Sequence, residues 1–229
     1  MDFDRRCVIV TGGAGALGRE VVQALLAAGA ECHVPLRGRA APPGWDDTAH
    51  LTLVPDVDLT AEADVDRLYR GADGLWASIH LAGGFDMAPL ADTGRAELQR
   101  MLDTNLVSAL LCCRAAARAF GDRGGRIVNV GARAALEPRS GAGKVAYVAS
   151  KAAVAAMTEA LAAELAPKGI LVNAVAPSVI DTPANRQAMP DADHATWPTP
   201  AQIAQSIVFL ASPANTVTSG AIVPVYGRA

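Results

Sequence analysis

The chain has 229 residues, of which 51% are hydrophobic and 19% charged, enough to bury one sizeable core in a single domain. A formal charge of −3 and a pI near 5.8 leave no basic footprint for nucleic acid or an acidic membrane and point instead to small-molecule chemistry. The apolar runs are short and broken by Gly, Pro or charge, and the stretch from Met1 to Arg6 lacks a signal-peptide core, so a cytoplasmic protein independent of membranes is expected.

Cys7 to Val10 reads as a short buried strand. The turn Thr11-Gly12-Gly13-Ala14-Gly15-Ala16-Leu17-Gly18 follows, and then a helix to Ala28 with Leu17, Val21, Ala24, Leu25 and Ala28 on one face. Glu31 to Leu36 is the next strand. In this strand, turn, helix, strand context Gly13, Gly15 and Gly18 satisfy GxGxxG, whose glycines let backbone N–H groups and a helix N-terminus approach a pyrophosphate. The segment from Gly38 to His50 reads as a surface loop, Leu51 to Pro55 as a third strand and Glu62 to Arg70 as a short helix with Val65, Leu68 and Tyr69 inward. Ser78 to Leu81 is a fourth strand. Gly94 to Phe120 reads as one long helix with a wide stripe of Leu98, Met101, Leu102, Leu106, Leu110 and Leu111, able to serve both core and partner.

Arg126 to Val130 is a fifth strand, Gly131 to Gly143 a loop, and Ala146 to Ala166 an alanine-rich helix. Leu171 to Ala176, a long loop from Pro177 to Thr199, a helix from Ala201 to Ala211 and a strand from Ala221 to Val225 complete the chain. Strands and helices alternating at this spacing predict an α/β fold, a single doubly wound Rossmann-type parallel sheet with helices on both faces, spanning residues 1–229 as one domain. Ligands in such sheets sit beyond the carboxyl ends of the strands, which gathers Gly12 to Gly18, Asp58, Ala82 to Gly84, Ala132 and Pro177 to Thr182 along one edge.

Cys7, Cys32, Cys112 and Cys113 form no CxxC pattern, and Cys7 and Cys32, inside predicted strands, read as buried thiols of a reducing compartment, while His33, His50, His80 and His194 are scattered, so no metal site is expected. The chemistry concentrates in Tyr147-Val148-Ala149-Ser150-Lys151. Four residues apart on a helix, Tyr147 and Lys151 share a face about 6 Å apart along the axis. A tyrosine titrates near pH 10, and a neighbouring ammonium is expected to lower it toward useful acid-base chemistry. A tyrosine packed over a lysine stem on an exposed helix would show the same spacing.

With these residues assembled, the chain resembles the short-chain dehydrogenase/reductase family over nearly its whole length. Thr11-Gly12 with Gly18 resembles its TGxxxGxG loop, Asp58-Leu59 its adenine-contacting acid, His80-Leu81-Ala82-Gly83 its NNAG strand end and Asn173-Ala174-Val175-Ala176-Pro177 its NAVAPG stretch. Asn105 matches its mid-chain asparagine, Tyr147 and Lys151 its catalytic pair, and Thr182 the threonine that holds the nicotinamide amide. The resemblance implies hydride transfer to a C=O or C=N carbon, with Tyr147 as proton donor, Lys151 lowering its pKa and holding the ribose, and Asn105 placing a water beside that lysine. Asn105 could instead bond backbone inside its helix.

It also implies cofactor contacts at Gly12, Gly15, Ala16, Leu17, Gly18, Arg37, Asp58, Leu59, Ala82, Gly83, Tyr147, Lys151, Pro177, Ile180 and Thr182, and a homodimer or homotetramer paired through the two long helices. Gly131 to Leu136, Asp181 to Asp193 and Gly83-Gly84-Phe85 are similar to the dihydropteridine reductase branch. The substrate contacts so implied are Phe85, Ala132, Asn185, Arg186 and Trp197, although Met189 and Trp197 could equally pack a structural loop.

Three departures shape the expectations. Ala16 replaces a glycine of the turn. Ala132 replaces the catalytic serine, as the dihydropteridine reductase branch also does, which suggests a substrate already electrophilic, with Ser140 the alternative hydroxyl. Where NAD enzymes carry an acid after the second strand this chain reads Arg37-Gly38-Arg39, and a guanidinium fork suits a 2′-phosphate, so NADPH is expected over NADH unless these arginines are solvated loop charges. A non-catalytic dinucleotide sensor or scaffold, and a carbonyl reductase or alcohol dehydrogenase of small-molecule biosynthesis, are the other readings.

Overall fold

The computed structural model describes residues 2–38, 41, 43–45 and 48–229. Seven parallel strands form one sheet in the order β3-β2-β1-β4-β5-β6-β7. They are β1 (Cys7–Thr11), β2 (Glu31–Pro35), β3 (Leu51–Val54), β4 (Leu75–His80), β5 (Gly125–Val130), β6 (Ile170–Pro177) and β7 (Ile222–Val225). The order reverses between β1 and β4, and that switch point opens a crevice beyond the strand ends.

Central strands of such a sheet are covered on both sides, which is why β1 reads as an unbroken apolar run with every residue buried. Its side chains divide by the twofold period of a strand. Val8 and Val10 join Val21, Val22 and Leu25 of α1 (Ala16–Ala27) and Ile203, Ile207 and Leu210 of α8 (Pro200–Ala211) in one core. Cys7 and Ile9 point the other way, into a core with Val65 and Leu68 of α2 (Glu62–Arg70), Leu111, Cys112 and Phe120 of α4 (Ser108–Phe120) and Leu165 of α6 (Val145–Leu165). All four cysteines are buried as free thiols. Helix α6 with the turn that follows, to Lys168, is long and apolar enough to span a membrane by composition, yet it packs on β6 and on α3 (Arg95–Leu102) as a layer of this fold.

The expected elements all form, with three refinements inside them. The predicted helix over 94–120 is α3 and α4 joined by a π-helical turn, Asp103–Val107. That turn breaks the 3.6-residue period, so of the predicted stripe Met101 and Leu111 are buried whereas Leu98 and Leu110 are exposed. The loop over 131–143 contains a one-turn helix α5 (Arg133–Leu136), and the loop over 177–199 contains α7 (Pro183–Ala188), started by Thr182 as its N-cap.

Candidate active site

The left wall of the crevice is backbone. Gly12 adopts φ +68°, and a Cβ there would lie 2.6 Å from Ala82 N; a Cβ at Gly13 would lie 2.8 Å from Val34 Cγ1, and one at Gly18 would overlap Gly12 O and sit 2.5 Å from Gly13 Cα. The turn is therefore closed by contacts that only hydrogen side chains permit. Gly15 is less constrained than the GxGxxG pattern suggests: its φ is −75°, and a Cβ would come no nearer than 3.3 Å to Gly12 O. It is the N-cap of α1, with no side-chain cap and no acid in the first turn, so the N–H groups over 16–18 are left for an anion. Ala16 is exposed at the first helical position, and its methyl replaces a motif glycine without disturbing the turn.

A cavity of about 310 Å³ runs from this turn along the ends of β2 and β4, lined by Gly12, Ala14, Leu36, Arg37, Asp58, Leu59, Ala82, Gly83 and Thr104 among others. Arg37 is exposed at its rim, where its charge helps to hold the Asp58 carboxyl below the usual range. The larger cause is local, since Asp58 accepts from Thr60 N at 2.9 Å and Thr60 Oγ1 at 2.7 Å. Arg39 lies outside the described residues. Uncapped N–H groups, glycines that admit close approach, an apolar slot and a cation at its rim fit a dinucleotide.

The right wall comes from α6 and the loop after β4. Tyr147 and Lys151 both face that loop: the Phe85 ring stands edge-on to Tyr147 with centroids 5.0 Å apart, and Lys151 Nζ would be 3.3 Å from a Cβ at Gly83. Because Gly83 follows Ala82, which packs on Gly12, the pair opens onto the glycine turn's crevice and not onto solvent as an ordinary helix-surface pair would.

The expected tuning of the phenol is corrected here. Burial pushes Tyr147 up to about 12 and Lys151 down to about 8. Desolvation wins because the ammonium is aimed elsewhere, donating to Val130 O at 2.8 Å. The buried phenol is thus held protonated, and in this state is a weaker acid than a free tyrosine.

Asn105 sits in the π turn and is buried. Its Oδ1 accepts from Gly84 N at 2.8 Å, and its Nδ2 donates to Gly84 O at 3.1 Å and to Ser150 Oγ at 3.0 Å; Ser150 Oγ donates to Tyr147 O at 2.7 Å. The side chain therefore ties the Phe85 loop to α6 through backbone and Ser150, as the backbone-bonding alternative expects. Ser150 and the Val130 carbonyl were missed by the sequence reading; the one signal for Ser150 was its place directly before Lys151.

Ala132 is buried at the N-cap of α5 and brings no hydroxyl, and Ser140 is exposed and donates to Glu137 O at 2.8 Å, so it does not replace one. Beside Tyr147 the Phe85 ring is 62% exposed, and two residues further along that loop Met87, 65% exposed, covers Gly143.

Three expected substrate contacts are committed to the loop itself. Asn185 Nδ2 donates to Ile180 O at 2.8 Å, the Arg186 guanidinium forks onto Asp181, and Trp197 is buried against the His194 ring. Of the two residues expected to pack the loop in the alternative reading, Trp197 is buried and Met189 is exposed. Thr182 Oγ1 accepts from Asn185 N at 3.2 Å, which leaves its hydroxyl proton free to donate, and Pro177 and Ile180 lead up to it from the end of β6.

Comparison with known proteins agrees with this architecture. The family model described as short chain dehydrogenase matches residues 6–193. Galactitol 2-dehydrogenase of Rhizobium johnstonii is 35% identical over 97% of this chain and 94% of its own, and a 3-alpha-(or 20-beta)-hydroxysteroid dehydrogenase of Mycobacterium tuberculosis is 30% identical over 94% and 86%. Among solved structures, gox2181 superposes with a TM-score of 0.91 at 30% identity, covering 99% of this chain and 96% of that one. ElxO with NADP bound does so at 0.87 and 23% identity over 97% and 98%, a likeness of fold. The relatives named here belong to branches other than dihydropteridine reductase.

Proposed function

The chain belongs to the short-chain dehydrogenase family and is an NAD(P)-dependent oxidoreductase, and we propose that it reduces an apolar, already electrophilic C=O or C=N compound with Tyr147 as the proton donor. The observation that carries this reading is the convergence of Tyr147 and Lys151 on the Phe85 and Gly83 loop beside the glycine turn. The residues fitted to hold the dinucleotide are the turn from Gly12 to Gly18 on its pyrophosphate, Asp58, Leu59, Ala82 and Gly83 along its adenosine half, and Lys151, Pro177, Ile180 and Thr182 at its nicotinamide end. When bound, that cofactor supplies the hydride.

Tyr147 gives its proton to the heteroatom that gains negative character as the carbon is reduced. Lys151, aimed at the Val130 carbonyl and bordering Gly83, would hold the ribose of the bound dinucleotide. Asn105, through Gly84 and Ser150, ties the loop after β4 to α6 and so holds that wall of the cleft together. With Ala132 in place of a hydroxyl donor, Tyr147 is the chief polar group offered to the substrate, which favours a substrate that needs little polarisation. A planar conjugated imine of the dihydropteridine kind meets that requirement, and its ring would stack beside Phe85. Relatives are named for galactitol and for hydroxysteroids; the exposed Phe85 ring beside Tyr147, with Met87 on the same loop, favours the apolar kind over the polyol.

Arg37 at the cavity rim supports NADPH over NADH, and the exposed Leu98 and Leu110 beside the small residues of α6 support a homodimer or homotetramer. Replacing Tyr147 by Phe should lower kcat by about 10²-fold or more while leaving NADPH affinity within a few-fold; undiminished turnover in a stopped-flow assay on conjugated carbonyls and imines would end the assignment. Arg37→Ala should cut kcat/KM for NADPH and spare NADH, and wild-type preference for NADH would reverse the cofactor reading.

A further inference from the structure

Beneath the catalytic pair runs a file of polar side chains for which the proposed reaction has no use. Tyr69 on α2, Ser78 and His80 on β4, Asn129 on β5 and Thr158 on α6 are each 5% exposed or less. They are joined in sequence: Tyr69 OH to Ser78 Oγ at 2.6 Å, Ser78 Oγ to His80 Nε2 at 2.8 Å, His80 Nδ1 to Asn129 Oδ1 at 2.7 Å, and Asn129 Nδ2 to Thr158 Oγ1 at 2.9 Å. Thr158 Oγ1 ends the file on Val154 O at 2.8 Å.

A carbonyl only accepts, so Thr158 donates to Val154 and must accept from the Asn129 amide. The amide oxygen therefore faces His80, which must donate from Nδ1. Nε2 is left to accept from Ser78, and Ser78 accepts from Tyr69. One tautomer satisfies every member, and it is the neutral one; burial holds His80 down to about 4. The other titratable groups against the file are the thiols of Cys113, 3.6 Å from His80 Nδ1, and of Cys112 beside Tyr69.

The file ends where the chemistry begins. His80 is paired in register with Asn129, and the residue after Asn129 is Val130, whose carbonyl receives the Lys151 ammonium. Helix α6 thus grips the end of β5 twice, through Thr158 on the Asn129 side chain and, seven residues earlier on the same face, through Lys151 on the Val130 carbonyl. Either grip alone would let the strand end pivot.

We propose that His80 is a positioning residue of the active site: by holding the Asn129 amide against Thr158 it fixes the Val130 carbonyl at which Lys151 is aimed. The significance for catalysis rests on the proposed role of Lys151, but the placement can be read without cofactor or substrate. The lysines of the chain are Lys144, Lys151 and Lys168, so an NMR titration of the intact protein carrying 13Cε-lysine gives a simple spectrum, with Lys151→Met to assign it.

The Lys151 midpoint should lie near 8 in the wild type. It should fall by about half a unit or more in His80→Leu and in Thr158→Val, because the carbonyl that favours the charged form is no longer held. It should return to the wild-type value in His80→Asn, which keeps a donor where Nδ1 stood, and stay there in Tyr69→Phe, which cuts the file at its outer end and costs only stability. An unmoved or raised midpoint in whichever of His80→Leu and Thr158→Val folds, an equal fall in Tyr69→Phe, or no recovery in His80→Asn overturns the proposal. Failure of the catalytic reading would show separately, as undiminished turnover in Tyr147→Phe with this titration unchanged.

Discussion

The two walls of the cleft are made of different material. On the cofactor side Gly12, Gly13 and Gly18 stand so close to neighbouring atoms that a single methyl group would force the backbone apart. On the substrate side Phe85 and Met87 stand more than half exposed, with room around them. A wall of main chain can present only N–H groups and close approach, which suits the invariant part of a ligand; a wall of side chains can be re-cut without refolding the protein. The difference separates what the site holds from what it selects.

The sharpest way to test this division is to put a methyl on each glycine. Gly18→Ala should cost about 1–3 kcal/mol of stability or more through overpacking and weaken NADPH binding at least tenfold by fluorescence titration. Gly15→Ala, with its ordinary φ and 3.3 Å of clearance, should lose under about 1 kcal/mol. Equal losses would show that the turn is not held by the contacts described.

Lys151 should prove costly to the fold. Its pKa is lowered from 10.5 to about 8, so below pH 8 the ammonium is charged in both states and burial opposes folding by about 3 kcal/mol. Between pH 8 and 10.5 the unfolded chain binds more protons than the native one, so stability contributed at this site rises with pH. Lys151→Met should therefore be more stable than wild type in urea at pH 7, and its advantage should shrink as pH rises through that window. An advantage that grows with pH would contradict the sign.

On the substrate wall the effects are smaller and confined to turnover. Ala132→Ser should raise kcat/KM on simple ketones by about tenfold through one added donor, and a ketone panel without any gain would count against the reading of Ala132. Phe85→Ala should raise KM for apolar substrates several-fold while leaving stability within about 0.5 kcal/mol. A large fall in Tm would mean that the exposed ring belongs to the core after all.

Much of the cofactor wall was legible in the sequence, because tight turns and the ends of parallel strands leave fixed spacings. Gly12, Gly18, Ala82, Gly83, Tyr147 and Lys151 come together as their motif positions imply. What was not legible depends on burial or on a partner distant in the chain. The Tyr147 pKa was misjudged because spacing reports the neighbouring charge but not the desolvation that exceeds it. Asn105 bonds Gly84 and Ser150, 21 and 45 residues away, partners that no local spacing reveals. Trp197, Asn185 and Arg186 were read as reaching outward from a long loop, yet the loop uses them to hold its own shape.

The turn of π-helix around Asn105 carries a consequence for anyone who edits this segment. Such a turn accommodates one residue more than an ordinary helix, and each helical residue accounts for about 100° of rotation. Deleting Leu106 would leave Asn105, Tyr147 and Lys151 in the chain and a smoother helix on paper, while turning the clamp on Gly84 out of phase with α6. Spacing along this stretch is as much a part of the site as the residues themselves.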